Sequence, residues 1–506
     1  MTQKSTHSLN ASSNTLTILL FALGAFYTIH SLPETPQLDP DSSGYLEMSP
    51  TRTLGYPVFL QIFSPSLATL IQALIYLAAV TRIILESRKW RFGGLLAPLL
   101  AGLLLFSKSV TESHGYIMTE SLFTSLEIAI LAEILEILRT AGGPSQFRLG
   151  VLAGLSMTIR PASLAYLPLI LALNLSFRQS LNLRRRLGHL ILAIAGLLIP
   201  TGIESFSRDL IHGERKTSLL GKHLYAKAAM MGTQANERDP RDFADPKEAM
   251  LEHALDHELA DVHSFLARQP NLEDRIALTP LYEACLEHGC VKKLRSGMGE
   301  PDAQINERMA RVGLRHILRQ PEDFLELSLY HYLQLSAYFA SYTPIQSQWG
   351  QIRLKNNLPL PFGKELGLPY PSFEPFPPKA SAKPFSLLLL GTSIALTGLG
   401  LFQFIRAREL SPWLKAACLA AMTIQSFMIL TALLGVAVQR YMTALWPCFS
   451  LIVTFGLGWV LSLSTKCLSR EPGMPEELPM SLSQHTLTSA NSMAFRSFAD
   501  KPKFPT

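Results

Sequence analysis

Charge is scarce in this chain. Asp, Glu, Lys and Arg make up 17% of its 506 residues, against about 25% in an ordinary soluble domain. That deficit excludes a protein solvated on every side. Cysteine is scarce too: there are five, and no pair has the spacing of a metal site. Cys418, Cys448 and Cys467 lie in or beside apolar segments and read as packing thiols. Cys285 and Cys290 stand in a polar central region, and their spacing permits a disulfide if that region lies outside the cytoplasm. The basic excess is only +6 and is spread along the sequence, which excludes a nucleic-acid partner. No clear repeat relates the two halves, which counts against the inverted-repeat plan of many transporters.

What is present is apolar length: 48% of the residues are hydrophobic. A membrane-crossing helix needs about 20 apolar residues. The first run, Ser8 to Pro33, holds no Lys, Arg, Asp or Glu. It lacks a convincing small-residue cleavage site and reads as an uncleaved first span. Further spans are predicted at 65–81, 92–108, 120–138, 148–160, 162–177, 187–204, 385–405, 413–438 and 441–463, ten in all. Alternate connections then carry the basic residues: Arg82, Arg88, Lys89 and Arg91; Arg139 and Arg148; Arg178 and Arg184 to Arg186; Arg406 and Arg408; Lys466 and Arg470. By the positive-inside rule these connections and both termini are cytoplasmic. The fold class is therefore an all-α polytopic membrane protein. Its organisation is an N-terminal bundle (1–204) with a first outer loop at 31–64, an extracytoplasmic helical domain (205–384), C-terminal spans (385–465) and a disordered cytoplasmic tail (466–506).

The fourth predicted span contains Glu127, with Glu133 and Glu136 near its cytoplasmic end, where both can reach water. An ionisable group at depth is costly and marks either function or a buried pair. In the central region, residues 245–270 and 306–339 carry helical periodicity, the second stretch interrupted at Pro321. A proline-rich connector follows from Leu358 to Pro384. His253 and His257 lie one helical turn apart, but Ala254 follows the first where a zinc protease needs Glu, and a solvated helix face accounts for them.

The polar cluster worth chemistry is "LDPDSSGYLEMSPTRTLGYPVFL", Leu38 to Leu60, directly after the first span. It holds Asp39, Asp41, Tyr45, Arg52 and Tyr56. On the same side of the membrane lie Arg160, at the end of the fifth predicted span, and Arg440 and Tyr441, at the start of the last. One acid and several cations at a shared depth suit transfer of a sugar from a lipid phosphate. A carboxylate deprotonates the acceptor hydroxyl, and guanidinium groups meet the charge growing on the phosphate. Singly, each has a plainer reading: Asp41 as the N-cap of a helix starting at Ser42, the arginines as side chains snorkelling to headgroups.

The ordered segments "DSSGYLEMSPTRTLGYPVFL", "YIMTESLFTSL", "GVLAGLSMTIRPASLAYLPLIL", "GLRHILRQPEDFLELSLYHYLQL" and "QRYMTALWPCFSLIV" resemble the GT-C superfamily of integral membrane glycosyltransferases. The likeness is to the branch of protein O-mannosyltransferases and the lipid A aminoarabinose transferase. The resemblance implies a GT-C bundle of about ten spans. It also implies an inverting enzyme of the inner membrane that takes a sugar from a polyprenyl-phosphate donor to a glycolipid, polysaccharide or protein acceptor at the outer face. Asp41 takes the role of general base by position, and Asp39, Tyr45, Arg52, Tyr56, Glu120, Arg160, Arg440 and Tyr441 become substrate-binding candidates. Many relatives carry adjacent acids in the first loop, whereas here Pro40 separates Asp39 from Asp41. Lys222 and His223 could reach the donor phosphate from the extracytoplasmic domain. No cofactor is required, with a divalent metal left open. The alternatives are an oligosaccharide ligase, and a transporter or lipid-sugar flippase centred on Glu127.

Overall fold

The computed structural model describes residues 3–39, 41–177, 181–213, 217–231, 245–255, 272, 275–276, 279, 283, 286, 290–337, 383–406, 410–435 and 439–469. Residues up to Trp459 form one compact unit, and those from Val460 a second, whose described part is the end of one helix. Among the described residues the only β pairing is an isolated parallel bridge between Gln37 and Tyr116. Everything else regular is helical.

The bundle opens with α1 (Gln3–His30). Two short helices follow, α2 (Ser42–Leu46) and α3 (Gly55–Ile62). Then come α4 (Pro65–Arg88), α5 (Gly93–Leu105), the single-turn α6 (Lys108–Ser113), α7 (Glu120–Thr140) and α8 (Gly143–Ile159). A 3₁₀ turn at Pro161–Ala165 leads into α9 (Tyr166–Ser176), and α10 (Leu183–His212) is the longest helix described. Among the described residues, six helical stretches are long and apolar enough to cross a membrane: Ser12–His30, Pro65–Arg88, Leu183–His212, Leu387–Arg406, Pro412–Leu434 and Tyr441–Thr465. The chain is thus an all-α, multi-pass protein. Helices occupy all ten predicted span positions, with shifted edges. The second runs a further two turns to Arg88, because Arg82 and Glu86 find partners at the bundle end. The last breaks into α18 (Gln439–Thr443) and α19 (Trp446–Ser469).

Between the two sets of spans lie α11 (Leu220–Met230), α12 (Pro246–His253), α13 (Cys290–Gly297), α14 (Asp302–Arg319) and α15 (Pro321–Ala337). Pro321 stops α14 and starts α15, since it lacks a backbone donor but suits the first helical turn. Tyr225, Leu251, Met309 and Val312 fill the core of this region. Cys285, Cys290, Cys467, His257, His263, the proline-rich connector and the tail have side chains or backbone outside the described residues. The chain re-enters the bundle through α16 (Lys383–Arg406) and α17 (Pro412–Leu434).

Two features set the bundle's geometry. First, α8 lies along α10 at glycine contacts. A Cβ at Gly150 would stand 1.9 Å from the Ala193 carbonyl oxygen, and one at Gly196 2.3 Å from the Phe147 carbonyl oxygen. Small residues at a membrane helix crossing let two backbones meet. Second, the basic end of the bundle is neutralised in place. Glu133 does not reach water as the sequence suggested: it is fully buried and pairs with Arg82, and with Arg148 at 3.0 Å. Glu86 pairs with Arg139 at 2.9 Å.

Candidate active site

The site sits at the opposite end of the bundle from those pairs and is made by two loops. Loop one (residues 31–54) follows α1. Loop two (residues 106–119) joins α5 to α7. Gln37 donates its N–H to the Gly115 carbonyl at 2.9 Å, and Ile117 donates to the Gln37 carbonyl at 3.0 Å. Ser42 Oγ donates to the Ile117 carbonyl at 2.8 Å. Close approach demands glycine here, because a Cβ at Gly115 would meet Pro33 at 2.6 Å. The far end of loop one is tied to other spans. Thr53 Oγ1 donates to the Ile159 carbonyl at 3.1 Å, and Arg208 donates to the Pro50 carbonyl at 3.0 Å.

Asp41 occupies the N-cap position of α2, as the plain reading expected, but its side chain makes no capping bond. Instead one carboxylate oxygen accepts from Arg52 at 2.6 Å. The local turn is held by Asp39 and Ser42. The Asp39 N–H donates to Ser42 Oγ at 2.8 Å, and Asp39 Oδ1 accepts the Asp41 N–H at 3.1 Å. Asp39 is buried, whereas the Asp41 and Arg52 side chains are each 22% exposed. The Arg52 guanidinium lies 4.9 Å from the Tyr45 ring centroid, and Tyr45 meets Tyr56 edge-on at 5.2 Å. Burial opposes the charge on Arg52, but Tyr45, Asp41 and Tyr441 outweigh it and hold its pKa above the ordinary value. Burial, with Tyr45 and Glu120 adding, pushes the Tyr56 phenol well above its ordinary range, so it stays a hydrogen-bond donor.

The second group centres on Arg160, in extended backbone just past α8. It pairs with Glu120, the first residue of α7, at 3.4 Å, and both are buried. Its guanidinium lies 4.1 Å from the Tyr441 ring centroid and 5.5 Å from that of Phe123. Cation–π contact of this kind fixes a planar cation without consuming its in-plane donors. The charge of Arg52 is felt by Tyr441 and that of Glu120 by Tyr56, so the two groups share one polar patch.

Of the predicted residues, Asp39, Asp41, Tyr45, Arg52, Tyr56, Glu120, Arg160 and Tyr441 therefore come together. The Arg440 side chain lies outside the described residues. Lys222 and His223 are on α11; Lys222 is buried, and its N–H donates to Asn306 Oδ1 at 3.1 Å. The chain before α11 touches loop one, where Thr217 N–H donates to the Pro50 carbonyl at 3.3 Å. No group of three or more His, Cys, Asp or Glu among the described residues is placed to hold a metal ion.

Three contributors went unread in the sequence. Phe123 forms one wall for Arg160, and its only signal is standing one turn after Glu120. Gln72 is an amide within an apolar span, a signal of the kind that singled out Glu127. His114 is fully buried; burial pushes its pKa down to about 3, so the ring is neutral, and Nδ1 lies 2.7 Å from Ser121 Oγ. Glu127 itself is away from the loops, fully buried, and accepts from the Cys448 thiol at 2.9 Å.

No family model matches this chain, and no curated protein matches it. Among solved structures it is similar to ArnT from Cupriavidus metallidurans bound to undecaprenyl phosphate. The identity is 14%, the match covers 92% of this chain and 82% of that one, and the TM-score is 0.30.

Proposed function

We propose that this protein is a GT-C type membrane glycosyltransferase that moves a sugar from a polyprenyl-phosphate donor to an acceptor hydroxyl. The acceptor belongs to a glycolipid, polysaccharide or protein, and the reaction takes place at the outer face of a bacterial-type inner membrane. One observation carries the reading. A partly exposed carboxylate, Asp41, pairs with Arg52 in a loop that begins where a membrane-crossing helix ends, beside a second arginine whose guanidinium lies over the rings of Tyr441 and Phe123.

The chemistry follows from that placement. The donor's chain stays in the bilayer and its phosphate stands at headgroup depth. Asp41 takes the proton from the acceptor hydroxyl as its oxygen attacks the anomeric carbon. The bond from that carbon to the phosphate oxygen breaks, and the electron pair leaves with the polyprenyl phosphate. A single displacement inverts the anomeric configuration. Arg52 orients the Asp41 carboxylate through their 2.6 Å bond, and its planar fork can bridge carboxylate and phosphate at once. Arg160, oriented by Glu120, Phe123 and Tyr441, is the second cation for the leaving phosphate.

The test compares a deletion strain carrying either wild type or Asp41→Asn, with both proteins present at equal membrane level. Surface glycolipids, glycoproteins and the polyprenyl-phosphate sugar pool are read by mass spectrometry. The expected result is one sugar-sized unit missing in the deletion and in the Asp41→Asn strain, with the donor accumulating. Full restoration by Asp41→Asn would remove Asp41 as the base. Accumulation of donor on the cytoplasmic leaflet alone would favour a flippase working through Glu127.

A further inference from the structure

Gln72 lies within α4, an otherwise apolar membrane-crossing helix, and is fully buried. A buried amide in a span ordinarily bonds across to a neighbouring helix. Here the amide bonds instead to two loop carbonyls and a tyrosine hydroxyl. Both amide hydrogens go to loop two, donated to the His114 carbonyl at 2.9 Å and the Tyr116 carbonyl at 3.2 Å. The amide oxygen accepts from Tyr56 Oη, at the start of α3 just past loop one, at 3.0 Å. The two carbonyls can only accept, so the amide orientation is fixed by chemistry. Tyr56 in turn is hydrogen-bonded by the Met118 backbone and packs on Tyr45, whose ring carries Arg52. The same stretch of loop two holds Gln37 and Ser42, on either side of Asp39 and Asp41.

We propose that Gln72 is a positioning residue: its side-chain amide couples loop two to the Tyr56–Tyr45–Arg52 chain of contacts and so sets where Asp41 stands. The inference rests on the glycosyltransferase reading for its kinetic consequence but not for its structural one. Losing the amide leaves two buried carbonyls and one hydroxyl to find new partners, and the loops shift to find them. A small misplacement of a reacting group lowers the rate of the chemical step more than it lowers binding.

The experiment uses the full-length protein in nanodiscs, as wild type, Gln72→Leu, Gln72→Glu and Tyr56→Phe. Backbone hydrogen exchange reads the amides of Gln37 and Ile117, which bond only when the loops are paired. In Gln72→Leu these two should exchange at least about tenfold faster, while the amides of α4 and α7 keep wild-type protection. Tyr56→Phe keeps both bonds from Gln72 to loop two, so it should loosen α3 and leave Ile117 nearly unchanged. Gln72→Glu preserves volume and the acceptor for Tyr56 but lacks the pair of donors. It should loosen Ile117 even if the leucine variant fails to fold. In transfer assays with a polyprenyl-phosphate sugar, kcat should fall on the order of tenfold or more with donor KM within about twofold. Wild-type exchange at Gln37 and Ile117 in both Gln72 variants would overturn the proposal. So would a uniform loss of protection across α4 and α7, which would make Gln72 a plain packing residue. If wild type transfers no sugar, the glycosyltransferase reading falls while the exchange pattern still decides the coupling.

Discussion

The two acids of loop one look interchangeable in sequence and are not so in space. Asp39 is buried, and its Oδ1 accepts the Asp41 N–H while its own N–H goes to Ser42. Its carboxylate closes the turn that starts α2. Asp41 faces Arg52 across a gap of eleven positions in sequence. Asparagine can accept the same backbone bond as aspartate, so Asp39→Asn should leave thermal stability within about 1 kcal/mol of wild type. It should retain most transfer activity, whereas Asp41→Asn loses it. The check is a paired assay of both variants in one membrane preparation. Equal loss of transfer in the two would make Asp39 a partner in proton removal instead of a turn former. Sequence reading could bring these residues to one surface because each was placed by the topology of the spans. It could not assign their partners, which depend on how Leu38 to Arg52 doubles back on itself.

At the scale of elements, helices were legible because apolar runs stand out from the polar stretches between them. Among the described residues six of the ten predicted spans are long and apolar enough to cross a membrane, while the positions 92–108, 120–138, 148–160 and 162–177 hold helices that are shorter or more charged. What was not legible was depth. The helix ending at Ile159 carries Arg160 only as far up as its contact with α10 allows, and that contact is a backbone approach at Gly150 and Gly196. Gly150 and Gly154 stand at the G-x-x-x-G spacing that lets membrane helices approach closely, but that spacing does not say which helix they meet, so the partner α10 was not legible in sequence. Gly150→Val should push α8 from α10, since its Cβ would meet a carbonyl oxygen and not the tip of a flexible side chain. Overpacking of this kind costs about 1–3 kcal/mol. The expected result in detergent is a lower unfolding temperature. Transfer should fall further than stability alone explains, because Thr53 of loop one hangs on the Ile159 carbonyl. A variant as stable and active as wild type would mean that the two helices can part without moving the loops.

For the whole molecule, the arrangement of charge argues for one orientation. Arg82, Arg139 and Arg148 gather at one end of the bundle with Glu86 and Glu133, while Asp41, Arg52, Glu120 and Arg160 lie at the other. Exposed Arg184 and Arg185, at the start of α10, add to the first end. Positive residues beside short connections are retained in the cytoplasm, so the Asp41 end should face outward and meet a donor presented in the outer leaflet. Single cysteines test this in a background with the five native ones replaced. Ser43→Cys, at an exposed position of α2, should react with a membrane-impermeant maleimide in intact cells. Arg184→Cys should react only after the membrane is opened. The reverse pattern would turn Asp41 toward the cytoplasm. The donor would then have to be offered on the leaflet where it is made, and the Asp41–Arg52 pair would serve an acceptor on that side.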